Sequence, residues 1–148
     1  MNAASAPAGP LADRDYQALR RFRHALRVFL RASEQAARAA GTTPAQHQLL
    51  LAIRGHPPGS TPTVGDIAEL LQLRHHSTVE LIDRAQDAGL VERRTDPSDN
   101  RRQRLELTTA GLELLEGLSQ FHRDELRRFR TEMVDVLREL DDRDPDAT

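Results

Sequence analysis

The residues with the clearest chemical potential are arginines that follow a short polar turn. The segment DPSDN at 96–100 is rich in turn-forming residues, and Arg101 and Arg102 come directly after it. Residues 90–94 and 104–108 have the composition of short strands. The pattern predicts a two-stranded hairpin with guanidinium groups at its tip, a geometry suited to phosphates or a DNA minor groove. The alternative is a solvated hairpin whose arginines only maintain solubility.

A second polar cluster opens the helix that is predicted to precede this hairpin. His75, His76, Ser77 and Thr78 fall in its first turn, where side chains reach base edges and free backbone N–H groups favour phosphates. Ser77 also has the spacing of a capping box with Glu80, so a helix cap is its alternative role. Adjacent histidines diverge by about 100° around a helix, and the chain has neither cysteine nor an HExxH motif. We therefore predict no metal site here.

Composition excludes several classes of function. The 148 residues favour one domain of ordinary size, and the lack of cysteine removes disulfides and thiolate chemistry. No apolar run reaches the roughly 18 residues of a membrane span, and the N-terminus lacks a secretory signal, so we expect a cytoplasmic protein with no membrane partner. We find no nucleophile–base pair and no glycine-rich phosphate loop. The sequence therefore predicts a protein that is not an enzyme and needs no cofactor.

The charges are distributed unevenly around a net value of −2. Residues 1–40 hold seven arginines against three acids, whereas 141–148 hold one arginine against four. Binding to DNA would therefore depend on local patches and would be sensitive to salt. No Phe, Tyr or Trp lies within 41–111, which argues against base stacking on single-stranded nucleic acid in that region.

The elements that must position these residues follow from apolar spacing and caps. We expect a long helix over 13–40 and another from about 109 to about 140, in which Gly117 allows a break. Between them, helices begin after the caps Thr43 and Thr63, a breaker-rich loop covers 55–62, and a helix of about 75–88 ends at Gly89. In the helix of about 75–88, Val79, Ile82 and Ala85 are expected to face inward. This order predicts a mainly α winged helix-turn-helix with a two-stranded β-wing and long terminal dimerisation helices.

Both terminal helices carry apolar stripes that a single chain leaves uncovered. A helix of about 28 residues is about 42 Å long, more than a compact domain of this size needs. A second copy of the chain is the simplest cover, and an antiparallel pair within one chain is the alternative. The expected dimer interface consists of Leu19, Phe22, Leu26, Phe29, Phe121, Phe129, Met133, Val136 and Leu140.

The predicted organisation has five segments. They are a flexible tail over 1–12, a dimerisation helix over 13–40, a winged lobe over 41–111, a second dimerisation region over 112–140 and an acidic tail over 141–148.

Residues 64–115 resemble the multiple-antibiotic-resistance regulator (MarR) family of bacterial transcription factors. LIDRAQDAGLVERR resembles the end of the family's recognition helix and its first wing strand. DPSDNRR resembles its Asp-x-Arg wing tip, here Asp99 and Arg101, and LTTAG resembles the start of the next helix. The chain departs from the family at Glu80, where a basic residue is frequent, and at Arg102, where many members have a small residue. Base preference therefore cannot be transferred.

The resemblance implies a homodimer on a pseudo-palindromic operator of double-stranded DNA, with recognition helices in the major groove and wing arginines in the minor groove. Arg101 is the expected minor-groove residue, and Asp99 would orient an arginine or form an Asx turn. Glu80 would pair with a wing arginine or accept from a cytosine amine. The expected DNA contacts are Arg74, His75, His76, Ser77, Thr78, Glu80, Arg84, Arg93, Arg94, Asp99, Arg101 and Arg102.

The resemblance also implies an effector site, because many members bind aromatic acids in a crevice and some sense zinc nearby. His24, His47 and His122 lie on helices that converge in the family, although ordinary surface or core histidines are the alternative. The expected residues for a small aromatic or anionic effector are Tyr16, Arg20, Arg23, His24, Arg27 and His47. The leading function is a ligand-responsive repressor. The alternative is a winged-helix protein-interaction module with weak or no DNA binding.

Overall fold

The computed structural model describes residues 9–141, with side chains as far as Arg138. Their elements are α1 (Asp13–Ala39), α2 (Pro44–Arg54), α3 (Val64–Leu71), α4 (His75–Asp87), β1 (Val91–Asp96), β2 (Asp99–Leu107), α5 (Thr109–Gly117) and α6 (Ser119–Asp141). The predicted mainly helical winged helix-turn-helix is confirmed. Most of the predicted N-terminal tail, nearly all of the acidic tail and the side chain of Leu140 lie outside the described residues.

The chain divides into two compact units. One consists of residues 32–123, and the other joins the residues up to 31 with those from 124 onward. The 32–123 unit holds α2–α5 and both strands, so it includes the predicted lobe of 41–111 and extends it at each end. Both α1 and α6 contribute residues to each unit.

The core of the 32–123 unit is built from side chains of four elements. Leu49 and Leu50 of α2, Ile67 of α3, Ile82 of α4 and Leu105 of β2 are all at most 1% exposed. Their burial holds the helix-turn-helix (α3, the turn and α4) against the base of the wing (β1 and β2). Removing apolar surface from water at about 25 cal/mol per Å² is the main force that fixes these elements together.

The helix starts follow the caps read from the sequence, with one difference. Thr63 accepts a hydrogen bond from the Asp66 backbone N–H and donates its own N–H to the Asp66 carboxylate, which is a complete capping box. Thr43 accepts from the Gln46 N–H at 3.2 Å, but the Gln46 amide oxygen accepts from Thr42 instead of returning to Thr43. At α2, therefore, only one of the two hydrogen bonds of a capping box forms.

The recognition helix α4 begins without a side-chain cap. Its N-cap is Arg74, and Ser77 lies inside the helix, so the alternative cap role of Ser77 is wrong. The helix ends as predicted at Gly89, which has φ +74°. The Gly89 N–H donates to the Gln86 carbonyl at 2.9 Å and the Leu90 N–H donates to the Ala85 carbonyl at 3.0 Å. These two bonds satisfy the last carbonyls of the helix in a Schellman arrangement.

The inward face of α4 differs from the prediction by one position. Ile82 and Ala85 are fully buried, whereas Val79 is only half-buried. Thr78 and Leu81 take the remaining inner places, at 0% and 6% exposure. A threonine is tolerated inside because its hydroxyl donates to the Arg74 carbonyl at 3.0 Å.

The wing is longer than the sequence indicated, and its turn is tighter. The strands pair antiparallel in regular register from Val91 with Leu107 to Thr95 with Gln103. The register then shifts, and Asp96 pairs with Asp99 across a turn that contains only Pro97 and Ser98. The Asp96 carboxylate makes this possible, because it accepts from the Ser98 N–H at 2.9 Å and satisfies the turn without a wide loop.

The predicted break in the C-terminal helix is confirmed at Leu118, between α5 and α6. Thr108 caps α5 by accepting from the Gly111 N–H at 3.1 Å, and its hydroxyl donates to the Gly89 carbonyl at 2.6 Å. The start of α5 is therefore fastened to the turn that follows α4.

In the unit made of the outer segments, Phe29 and Phe129 pack with ring centroids 5.4 Å apart. Much apolar surface nevertheless stays exposed, including Leu19 at 46%, Leu126 at 70% and Leu137 at 51%. None of the predicted interface residues with a described side chain is buried. No helix of the described part is long and apolar enough to cross a membrane.

Candidate nucleic-acid interface

A cleft of about 480 Å³ separates the wing from the helix-turn-helix. His75 and Val79 of α4 line one side, and Arg101, Arg102 and Gln103 of β2 line the other. The N-terminus of α3 also lines the cleft, and the Asp66 carboxylate there is already held in the capping box with Thr63. The tertiary structure thus brings predicted residues of the recognition helix and of the wing tip to one place.

The two arginines at the wing tip are exposed and form no ion pair within the described residues. The Thr63 N–H holds the pKa of Asp66 below its ordinary value, with smaller contributions from the Thr63 hydroxyl, His56 and Arg102, while partial burial opposes them. Arg102 is therefore close enough to the start of α3 to act on its charge. Both guanidinium groups remain available to an anion that enters the cleft.

Asp99 has the local role that was predicted as one of its two alternatives. Its carboxylate accepts from the Arg101 backbone N–H at 3.0 Å, which forms an Asx turn. It makes no ion pair with a guanidinium group in the part of the chain described here.

The first turn of α4 contains both exposed and buried side chains. Arg74, His75 and His76 are exposed, and Ser77 is half-buried. Thr78 is 0% exposed and bonds to its own helix. Thr78, although predicted as a DNA contact, is not available for one, because a buried hydroxyl with an internal partner does not reach a base edge.

Glu80 does not pair with the wing. Its carboxylate lies 3.4 Å from Arg84, one helical turn later, and the side chains of both are about two-thirds exposed, at 65% and 68%. The predicted pairing of Glu80 with a wing arginine is therefore not the one formed. An exposed pair of this kind stabilises a helix by about 0.3–0.5 kcal/mol, so DNA can displace it at little cost.

The two arginines of β1 already have carboxylate partners. Arg93 is only 18% exposed, lies 2.6 Å from Asp83 and also donates to Gln86, so it ties the wing to α4. Arg94 lies 2.9 Å from Glu92 and 2.8 Å from Glu106. The hydrogen bond that Arg94 donates to Glu92 and the charge of Glu106 raise the pKa of Arg94. Although both were predicted DNA contacts, neither presents an uncompensated charge.

Two of the three predicted histidines meet in the 32–123 unit. His47 of α2 and His122 of α6 stack with their rings 12° from parallel, and their Nε2 atoms are 3.1 Å apart. One Nε2 must carry a proton and the other must lack one for this to be a hydrogen bond. Burial lowers the pKa of His47, with a further effect of His122, and burial also lowers the pKa of His122.

The rest of the predicted effector site is distributed over both units. Tyr16, Arg20, Arg23, His24 and Arg27 are exposed on α1 in the unit of the outer segments. His47 is fully buried in the 32–123 unit. No group of three His, Cys, Asp or Glu side chains among the described residues could hold a metal ion.

Sequence reasoning missed one interaction at the wing. Asp96 and Arg104 form an ion pair at 2.9 Å, and the Asp96 side chain is only 4% exposed. Asp96 was assigned only to a turn and Arg104 only to a strand. The spacing of the two residues gave no signal for this pair, because the partner of Arg104 across the sheet is Arg94 and the partner of Asp96 is Asp99.

Comparison with known proteins adds an independent result. Residues 40–102 match the model of the MarR family. No curated protein is similar to the chain in sequence.

Several solved structures share the fold at low sequence identity. AbsC, a MarR family transcriptional regulator from Streptomyces coelicolor, has a TM-score of 0.69 at 23% identity, over 91% of this chain and 92% of AbsC. The S. aureus MepR–DNA complex has a TM-score of 0.63 at 22% identity, over 83% of this chain and 85% of MepR. Bordetella bronchiseptica BpsR, whose DNA binding is regulated by 6-hydroxynicotinic acid, has a TM-score of 0.63 at 22% identity, over 84% and 98%.

Proposed function

We propose that the chain is a sequence-specific regulator that binds double-stranded DNA, because residues 40–102 match the MarR-family model and the chain shares the fold of solved MarR-family regulators. The observation that carries the proposal is the cleft in which the exposed start of α4 faces the unpaired Arg101 and Arg102 of the wing. A helix-turn-helix that did not bind DNA would not require free guanidinium groups across a cleft from its recognition helix. We also propose that this regulator is cytoplasmic and is not an enzyme.

The proposed docking places α4 in a major groove. The exposed side chains of Arg74, His75 and His76 meet base edges or phosphates there. The wing then lies over the adjacent minor groove, where Arg101 is attracted by the strong negative potential of a narrow groove. The pairing of Glu80 with Arg84 opens on contact, because both side chains are exposed.

We further propose that the protein acts as a homodimer joined through α1 and α6. The support is the exposed apolar surface of these helices, which includes Leu19, Leu26, Phe129 and Leu137. Contiguous apolar patches on a soluble protein mark interaction surfaces. Two lobes related by a two-fold axis would read a pseudo-palindromic operator with half-sites about 34–36 Å apart.

An anionic effector is the proposed signal that turns this repressor off. The row of exposed cations on α1, Arg20, Arg23 and Arg27, supplies positive charge for a carboxylate. The fold shared with BpsR, whose DNA binding is regulated by 6-hydroxynicotinic acid, supports this class of ligand. An effector that binds better to a conformation with mismatched lobe spacing would release DNA by shifting the population.

The test is a gel-shift titration of the purified protein on DNA from upstream of its own gene, at several salt concentrations. We expect a specific shift at roughly 10⁻⁸ M protein or below, weakening steeply as salt rises because counterions are released. Scrambled DNA of the same length is the control. A complete lack of binding at low salt would refute DNA recognition and favour the protein-interaction module.

A further inference from the structure

An ion pair between buried Asp96 and partly exposed Arg104 closes the wing just below its tip. Asp96 accepts three hydrogen bonds, from the Ser98 N–H at 2.9 Å, from the Ser98 hydroxyl at 2.8 Å and from Arg104 at 2.9 Å. The residue is 3% exposed. Asp96 therefore fixes the conformation of the turn and holds the side chain of Arg104 at the same time.

The other arm of Arg104 reaches out of the wing. Its Nη1 atom donates to the Thr61 carbonyl at 3.3 Å and to the Thr61 hydroxyl at 3.2 Å. Thr61 lies in the loop that leads into α3, two residues before the cap Thr63. One planar guanidinium thus links both wing strands to the segment that starts the helix-turn-helix, a fork geometry that lysine cannot reproduce.

The backbone reinforces the same connection. The Leu105 N–H donates to the Pro62 carbonyl at 2.9 Å. The backbones of Thr63 and Arg104 also form an isolated antiparallel β-bridge. Beyond these contacts, toward Arg101 and Arg102, the residues of the wing are exposed. The link therefore lies on β2 directly beside the exposed residues 101–103, which line the cleft.

Asp96 and Arg104 are both ionised, and their opposite charges compensate each other. The Ser98 N–H, the Ser98 hydroxyl and Arg104 lower the pKa of Asp96 to about 2, against a smaller opposing effect of burial. Asp96 is therefore ionised at any physiological pH. Since Arg104 already neutralises it, Arg104 is poorly suited to serve as a phosphate ligand.

We propose that Asp96, Arg104 and Thr61 form a wing clip that fixes the position of the wing relative to the helix-turn-helix. Arg104 is then a positioning residue for Arg101 and does not itself contact DNA. A wing that is ordered before binding loses less conformational entropy in the complex, so the clip raises affinity without adding a contact. The inference rests on the proposed DNA-binding function.

A double-mutant cycle on the upstream DNA tests the clip. In the wild-type background, Arg104→Gln is expected to weaken DNA binding about tenfold. In an Arg101→Ala background, the same substitution is expected to weaken binding by less than a further factor of about two, because the DNA contact of Arg101 that the clip positions has already been removed. Arg104→Lys is expected to resemble Arg104→Gln, since its point charge cannot bridge Asp96 and Thr61. Additive losses, or full activity of Arg104→Lys, would overturn the proposal. Arg54→Gln, an exposed arginine of the same unit outside the cleft, is the control.

Amide hydrogen exchange without DNA separates the clip from the proposed function. Arg104→Gln should accelerate exchange over 96–103 while Leu49 and Leu50 of the core stay protected. Unchanged exchange at the wing would refute the clip even if DNA binds. If the wild type binds no DNA, the proposed function fails, yet the exchange result still decides whether the clip exists. Should Arg104→Gln not fold, Thr61→Val removes one acceptor and replaces it in both experiments.

Discussion

At the scale of single residues, the arginines of the wing differ in what surrounds their guanidinium groups. Arg94 lies within 3 Å of two carboxylates, those of Glu92 and Glu106. Arg101 is exposed and forms no ion pair among the residues described. The net positive charge available to DNA therefore resides at the tip and not along the first strand.

Arg101→Ala should lower affinity for the operator roughly ten- to hundredfold, in line with about 1–3 kcal/mol for a specific arginine contact. Arg94→Ala is the matched control, because it removes one arginine from the same wing but leaves two carboxylates without their partner. It should have a smaller effect. Fluorescence anisotropy of labelled operator measures both. Equal losses in the two variants would mean that the wing contributes only general charge.

The burial of His47 and His122 is expected to make the stability of the 32–123 unit depend on pH. Burial lowers the pKa of each histidine in the folded state, whereas the unfolded chain titrates near 6.5. Well above pH 6.5 the histidines are neutral in both the folded and the unfolded chain, and the full stability is present. As the pH falls below that value, the unfolded chain takes up protons first, so stability is lost progressively down to the lowered folded pKa.

The urea midpoint of unfolding should therefore decrease between pH 7.5 and pH 5.5, and His122→Gln should reduce this decrease. His76→Gln removes an exposed histidine of the same unit and should leave the pH dependence unchanged. Chemical denaturation followed by circular dichroism is the measurement. A His122→Gln variant with the full wild-type pH dependence would show that other groups cause it.

At the scale of elements, the start of α5 is fixed by a close approach of two backbones. A Cβ atom on Gly111 would lie 2.2 Å from the Leu90 carbonyl oxygen, a distance that requires the backbone to move. Thr108 adds two bonds to the same turn, from its N–H to Leu90 and from its hydroxyl to Gly89. The glycine of the LTTAG segment is thus needed for packing between the wing, α4 and α5.

Gly111→Ala should destabilise the protein by roughly 1–3 kcal/mol, the usual cost of forcing extra atoms into a packed site. Gly117→Ala, in the same helix, is the control because a Cβ there meets no atom within 4 Å. It should be neutral or slightly stabilising, since alanine favours helix. Thermal unfolding monitored at 222 nm distinguishes the two, and equal stabilities would disprove the close approach.

At the scale of the whole molecule, the exposed apolar residues of α1 and α6 support the proposed dimer. Leu126 is 70% exposed and Leu137 is 51% exposed, although both continue the apolar repeat of α6. Isolated apolar residues on a surface are ordinary, but stripes along two long helices are not.

Leu126→Glu should shift the protein from dimer to monomer in sedimentation velocity, because it places a charge in the proposed apolar interface. Leu70→Glu is a matched control: Leu70 is 64% exposed but lies on α3, outside the proposed interface. It should leave the sedimentation coefficient unchanged. A monomeric wild type, or a Leu126→Glu variant that remains dimeric, would rule out this interface.

The sequence by itself determined the order and the limits of most elements. Apolar periodicity, the caps Thr43 and Thr63, the stop at Gly89 and the turn at 96–100 are local signals, and each acts within a few residues of the structure it specifies. The same local signals carried the resemblance to the MarR family. They failed by a few residues at the wing, where Asp96 tightened the turn.

Only the tertiary structure decided which polar side chains are available. Thr78 is buried, Arg93 forms an ion pair with Asp83, and Arg104 forms an ion pair with Asp96. His47 contacts His122, which lies 75 residues away in sequence. The physical reason is that a charge or a hydrogen bond is satisfied by whatever lies within about 3 Å, and that neighbour is set by packing between distant segments. Arg101 and Arg94 have similar local sequence contexts, but packing left one guanidinium free and compensated the other.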